Sequence, residues 1–181
     1  MRIKILSVAF VIVVIIGLIG CRGFFEPEFP ITITRISDGI QISFGMDREN
    51  IENILVPMSE DNKSILESWE IRDDIMGLYG DVDNFIRVIY NEYDIAWIFN
   101  IRCSDWTFAG ISLGGDIQRI IDSERFEHIY HSGMENYSNI FGPISGIVEI
   151  FFECDENRAK LSLLYDEYGK IYGINLFDLN Y

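Results

Sequence analysis

The side chains able to do chemistry are few and scattered. His128 and His131 stand three apart, with Glu124 and Glu127 beside them. On one helix face Glu127, His128 and His131 would offer the nitrogen and carboxylate donors that zinc accepts. Their spacing is not the H-E-x-x-H pattern of a zinc peptidase, so a solvated surface is the simpler reading and no metal is expected. Asp73-Asp74 and Asp155-Glu156 are adjacent acids at expected turns. Carboxylate-driven glycoside hydrolysis would need two acids converging across a cleft, and loop solvation explains these pairs more simply. Cys103 and Cys154 each end an expected strand. An oxidising compartment would let them form a disulfide, and buried free thiols are the alternative. Arg102 is the only basic neighbour in sequence that could favour a thiolate nucleophile. No Gly-rich phosphate loop or C-x-x-C motif occurs. The chain is therefore expected to be non-enzymatic, with no cofactor.

The most informative cysteine is Cys21. It closes the segment MRIKILSVAFVIVVIIGLIGC, in which Arg2 and Lys4 precede an apolar run from Ile5 to Ile19 and the small Gly20. This is the layout of a secretory signal peptide. The run is shorter than the ~18–20 apolar residues of a spanning helix. Leu18-Ile19-Gly20-Cys21 resembles the lipobox of bacterial lipoproteins. The resemblance implies cleavage before Cys21, palmitate-type diacylation of its sulfur and often acylation of its new amino group. Two or three acyl chains give stable anchoring where one is marginal. An uncleaved anchor is the alternative, and it too places the remainder outside the cytoplasm. The expected location is a bacterial cell envelope, with the domain held to a membrane by its N-terminal lipid. Residues 1–20 are read as the signal peptide and 21–37 as the lipidated cysteine and tether, where Pro27 and Pro30 disfavour regular structure.

The elements that must position everything else come from the remaining residues. The 181-residue chain is 49% apolar, with 13 Phe, 9 Tyr and 3 Trp, a supply that favours a packed, strand-rich core. Its formal net charge of −15 repels nucleic acid. Ile42-Ser43-Phe44-Gly45-Met46-Asp47 can be laid over Ile111-Ser112-Leu113-Gly114-Gly115-Asp116, and Val88 to Tyr93 over Leu163 to Tyr168, in the same order. A duplication is the expectation, with repeats at 38–106 and 107–181. In each, Asp47 or Asp116 is an N-cap residue ahead of a short apolar stripe: Ile51, Ile54 and Leu55, or Ile117, Ile120 and Ile121. Strands follow, with Val148, Ile150, Phe152 and Cys154 alternating against Ile147, Glu149, Phe151 and Glu153. Asn91 to Asp94 and Asp166 to Lys170 read as hairpin loops. The expected fold class is α+β, two tandem copies of a short helical segment followed by an antiparallel sheet. This pattern resembles, at the level of fold, the SmpA/OmlA outer-membrane assembly lipoproteins and the tandem β-lactamase-inhibitor-like domains. The Leu-Gly-x-Pro usual after their helix is replaced here by Leu55-Val56-Pro57 and Asp122-Ser123-Glu124. The resemblance implies helices covering one sheet face and a partner on the other.

If so, Tyr90, Trp97, Tyr165 and Tyr172 would share an open sheet face rimmed by carboxylates, the make-up of a binding surface. Packing of these rings in the core is the alternative. The expected function is a membrane-anchored envelope lipoprotein that binds a protein partner with a basic surface. A cell-wall hydrolase using carboxylates and a structural envelope component are the rival readings.

Overall fold

The computed structural model describes residues 31–66, 75–123, 126, 129–132, 138–139, 142–143, 145–154 and 157–180. Alternation of apolar and polar residues makes most of them strand. In chain order they form β1 (Thr32–Arg35), β2 (Gln41–Ser43), α1 (Arg48–Glu52), α2 (Glu60–Ile65), β3 (Met76–Asp81), β4 (Asn84–Tyr90), β5 (Ala96–Ile101), β6 (Trp106–Phe108) and β7 (Ile111–Ser112). Then come α3 (Ile117–Ile121), β8 (Ile129–Ser132), β9 (Ser138–Asn139), β10 (Gly142–Pro143), β11 (Gly146–Cys154), β12 (Asn157–Tyr165) and β13 (Ile171–Asp178).

All pairings among these strands are antiparallel. One sheet has seven strands in the order β3-β4-β5-β13-β12-β11-β8, a second has four in the order β2-β1-β6-β7, and β9 and β10 pair alone. The main core lies between the two larger sheets. It takes Val88, Phe99, Ile101, Val148, Ile150, Leu161, Leu163, Ile174 and Leu176 from the large sheet, and Ile33, Ile42, Trp106 and Phe108 from the small one. Ile51, Leu55 and Ile117 of the helical segments fill its side. A smaller cluster of Met58, Leu66, Leu78 and Phe85 covers the β3–β4 end of the large sheet on its other face.

The expected α+β class is replaced by a mainly antiparallel β fold. The caps form as read: Asp47 accepts from the Asn50 N–H, and Asp116 from the Gln118 N–H. The helices that follow, however, are only five residues long, and α2 has six. A helix of one or two turns cannot cover a sheet face, so the small sheet covers it instead. Nor does each half build its own sheet, since β5 pairs with β13 and strands from both halves share one.

Local geometry recurs along the chain. β4 and β5 slip register between Ile89 and Tyr90, and β12 and β13 slip between Leu164 and Tyr165. Gly45 and Gly114, both at positive φ, donate to the carbonyls of Ala96 and Ile171. Asn91 and Asp166 each accept two backbone N–H groups within the hairpin loops they begin.

Cys103 is a free, buried thiol. It follows β5, and Cys154 ends β11, with β13 and β12 between those strands. Three strand spacings amount to about 14 Å, twice the ~7 Å that a disulfide spans between Cα atoms. The expected Cys103–Cys154 bond is thus ruled out by sheet order. Burial also pushes the Cys103 thiol up, away from thiolate character.

Candidate functional site: a polar line across the large sheet

Where β4, β5, β13, β12 and β11 lie side by side, each sends apolar residues to the core, and the opposite face carries polar residues together with Ile89, Ile98, Leu164 and Phe177. Cross-strand partners put the polar ones in a single line: Arg87 opposite Asn100, Asn100 opposite Asn175, Asn175 opposite Ser162, and Ser162 opposite Glu149. Four strand spacings make this line about 19 Å long. Arg87 Nε donates to Asn100 Oδ1 at 2.6 Å, and Asn100 Nδ2 donates to Asn175 Oδ1 at 3.0 Å. Arg102 Nη1 donates to that same Asn175 oxygen at 3.3 Å and to the Ile101 carbonyl at 3.0 Å. At the far end, Ser162 Oγ and Lys160 Nζ donate to Glu149 Oε1 at 3.3 and 3.1 Å. Lys160 also sits 4.6 Å from the centre of the Phe177 ring.

The line is shielded from water. Asn100 is 4% exposed, Ser162 5% and Arg102 9%. The Arg102 guanidinium lies on the Cα of Gly173, where any Cβ would overlap it. Burial pulls Arg102 down to about 10, the Tyr172 phenol opposes that, and the charge of Arg87 adds to it. Burial also lowers Arg87. Arg102 stays protonated at neutral pH.

The four expected face aromatics separate. Tyr90 is 1% exposed, part of the core, with its hydroxyl 2.6 Å from that of Tyr79. Tyr165 packs against the same core, its ring over Gly146. Those two do not belong to an open face. Trp97 and Tyr172 are different. Each is the extra residue of a bulge: Trp97 falls between the pairs Tyr90–Ala96 and Ile89–Ile98, and Tyr172 between Tyr165–Ile171 and Leu164–Gly173. Both are part-exposed, and neither is among the side chains packed against the core. Tyr172 lies near enough to Arg102 for that charge to act on its hydroxyl, although burial raises the phenol overall. Trp97 Nε1 and Tyr172 Oη are both buried atoms with no hydrogen-bond partner.

Other expected chemistry does not assemble. His131 lies in β8 opposite Val148, so it is on a strand and not on the helix expected for a Glu-His-His face. Glu127 and His128 lie outside the described residues, as do Cys21, Asp73, Asp74, Asp155 and Glu156. Among the described residues no group of three or more His, Cys, Asp and Glu is placed to hold a metal. No helix among them is long and apolar enough to cross a membrane.

The polar line itself was missed in sequence. Its signal is a polar residue set between apolar neighbours: Arg87 in NFIRVIY, Asn100 in AWIFNI, Ser162 in NRAKLSLLY and Asn175 in IYGINLFD. Only cross-strand register shows that these lie abreast.

No family model and no curated protein matches the chain. Among solved structures it is similar to an extracellular protein containing a SCP domain from Bacillus anthracis str. Ames, at 10% identity and a TM-score of 0.46. The match covers 76% of this chain and 44% of that one, so the chain spans less than half the length of its neighbour.

Proposed function

We propose that this chain is a non-enzymatic binding module of a bacterial envelope, tethered outside the cytoplasm by lipid on Cys21. Its working surface lies at the two part-exposed bulge residues beside the polar line, Trp97 and Tyr172. The tether rests on the signal-like leader and the Leu18-Ile19-Gly20-Cys21 segment. One observation carries the surface: two bulges leave Trp97 Nε1 and Tyr172 Oη shielded from water and unmet by any acceptor. An unmet buried donor costs about 1–3 kcal/mol, and such groups are rare enough in folded proteins to need a reason. An acceptor brought by a partner supplies one. Among the described residues this face is mixed in charge and not the acidic surface expected from overall charge. Arg87, Arg102, Lys160 and Glu149 stand on or beside the line.

Two variants test the two halves of this reading. Cys21→Ala is expected to move the protein from the membrane pellet to the soluble fraction outside the cytoplasm. That soluble chain should still be retained by isolated envelopes. Adding Trp97→Ala and Tyr172→Ala should cut retention about tenfold, the loss of ~1.4 kcal/mol, with far-UV circular dichroism unchanged. A Cys21→Ala chain that stays in the pellet contradicts the tether. Equal retention of the triple variant contradicts the surface.

A further inference from the structure

The place where the tether meets the domain decides how the domain stands, given the lipid on Cys21 proposed above. Ile31, directly ahead of β1, is fully buried, and its carbonyl accepts from the Phe44 N–H. The next residue, Gly45, donates to the Ala96 carbonyl at the start of β5. Ile31 is therefore level with the start of β5. At its other end β1 pairs Arg35 with Trp106, whose N–H reaches the Cys103 carbonyl just past the end of β5. So β1 runs in the same direction as β5, and the chain ahead of it leaves the domain at the β5 start. The 91–94 hairpin is at that same end, since the Asp94 carbonyl accepts from Arg48 beside the Gly45 turn. β13 runs the opposite way, with Ile98 opposite Phe177 and Ile101 opposite Ile174. The 166–170 hairpin that precedes β13 therefore lies at the far end. The eight residues of β13 put about 25 Å between the two hairpins.

Two further facts fix which end faces the bilayer. Ten peptide steps lead from Cys21 to Ile31, and fully drawn out they reach no further than ~35 Å. The lipid is thus confined to the neighbourhood of the 91–94 end. The formal net charge of −15 is the second. Anionic headgroups repel such a domain, so it stands off from the surface instead of lying flat on it. We propose that the domain stands upright on its membrane, with the 91–94 hairpin toward the lipid, the 166–170 hairpin away from it, and the strands of the large sheet along the membrane normal. Trp97 follows Ala96 and so lies close to the tether, whereas Tyr172 follows Ile171 at the far end. About six residues of strand separate the two, which puts Tyr172 roughly 20 Å higher. Both are on the flank of the upright domain. A partner that meets both stands beside the domain, within about 55 Å of the headgroups. It belongs to the layer next to that membrane and not to a more distant layer of the envelope.

The test places the lipidated protein in phosphatidylglycerol nanodiscs that carry a gadolinium-chelating lipid, and reads the relaxation of backbone amides by NMR. Tyr93 and Tyr168 are the reporters, one in each hairpin and both exposed. The Tyr93 amide is expected to show a severalfold larger relaxation enhancement than the Tyr168 amide, because the effect falls steeply with distance from the metal. Inserting about twenty Gly-Ser residues after Arg22 lengthens the reach of the tether. Both enhancements should then fall, and their ratio should approach one. Equal enhancement at the two hairpins of the wild-type protein, or a larger one at Tyr168, overturns the upright orientation. A ratio that survives the insertion overturns it too, since the tether would not be what sets it. If Cys21→Ala leaves the membrane pellet while the two hairpins of the lipidated chain respond equally, the lipid tether stands and the orientation falls. A Cys21→Ala chain that stays in the pellet removes both.

Discussion

Phe99→Ala is expected to destabilise the domain by about 3–5 kcal/mol, the range for truncating a fully buried phenylalanine. Phe99 of β5 is 0% exposed and stacks on Phe44, with ring centres 5.0 Å apart and planes 17° from parallel. Phe44 directly follows β2, so this ring pair joins the small sheet to the large one. Removing one ring forfeits its transfer out of water and opens a cavity between layers that are both hydrogen-bonded in place. Relaxation into that space would have to shift a strand. A loss of this size is a large share of the ~5–15 kcal/mol of a typical domain. It should lower the midpoint of thermal unfolding by about 10 °C. Calorimetry checks it, and a loss below ~1 kcal/mol would contradict the two-layer core.

Gly173→Val has the second large effect, by an opposite route. Gly173 is at ordinary negative φ, so valine suits the backbone of β13. The obstacle is the Arg102 guanidinium, which occupies the space of the new side chain, with Leu164 next to it. Overpacking here should cost about 2–3 kcal/mol. It should also drive Arg102 off the Asn175 oxygen and weaken the polar line. Adding Arg102→Leu to Gly173→Val should recover part of the loss, since the clash then has no charged partner to displace. Denaturant melts of the two proteins decide this. A Gly173→Val protein as stable as wild type would mean that Arg102 does not rest on β13.

What the sequence disclosed followed the range of the interactions concerned. Asp47 and Asp116 act within three residues, and both cap as read. Asn91 and Asp166 organise hairpin loops through contacts no more than four residues away. Val148, Ile150 and Phe152 alternate inward on one strand as expected, with Phe151 turned out. What stayed hidden depends on distant pairing. The β5–β13 seam and the small sheet that covers the core join segments far apart in sequence, and no local pattern encodes them. The helical stripes at Ile51 to Leu55 and Ile117 to Ile121 were real, but periodicity does not give a helix enough length to cover a sheet. The aromatic face failed for a specific reason. Tyr90 continues the inward alternation of Ile86 and Val88, whereas a bulge on the neighbouring strand adds Trp97 as an extra residue outside the core. Tyr165 likewise follows Leu161 and Leu163 inward, and the bulge on β13 adds Tyr172. The polar line was written in the sequence as polar residues set between apolar neighbours, yet its meaning required the register.

The working surface is tested most directly by hydroxyl-radical footprinting of the protein in its own envelope, compared with the purified chain. Tyr93 and Tyr168, at 74% and 78% exposed, serve as internal controls on the hairpin loops. Oxidation of Trp97 and Tyr172 should fall severalfold in the envelope while the two loop tyrosines react equally in both samples. Unchanged oxidation of Trp97 and Tyr172, or protection confined to Tyr93 and Tyr168, would show that the molecule meets its partner elsewhere.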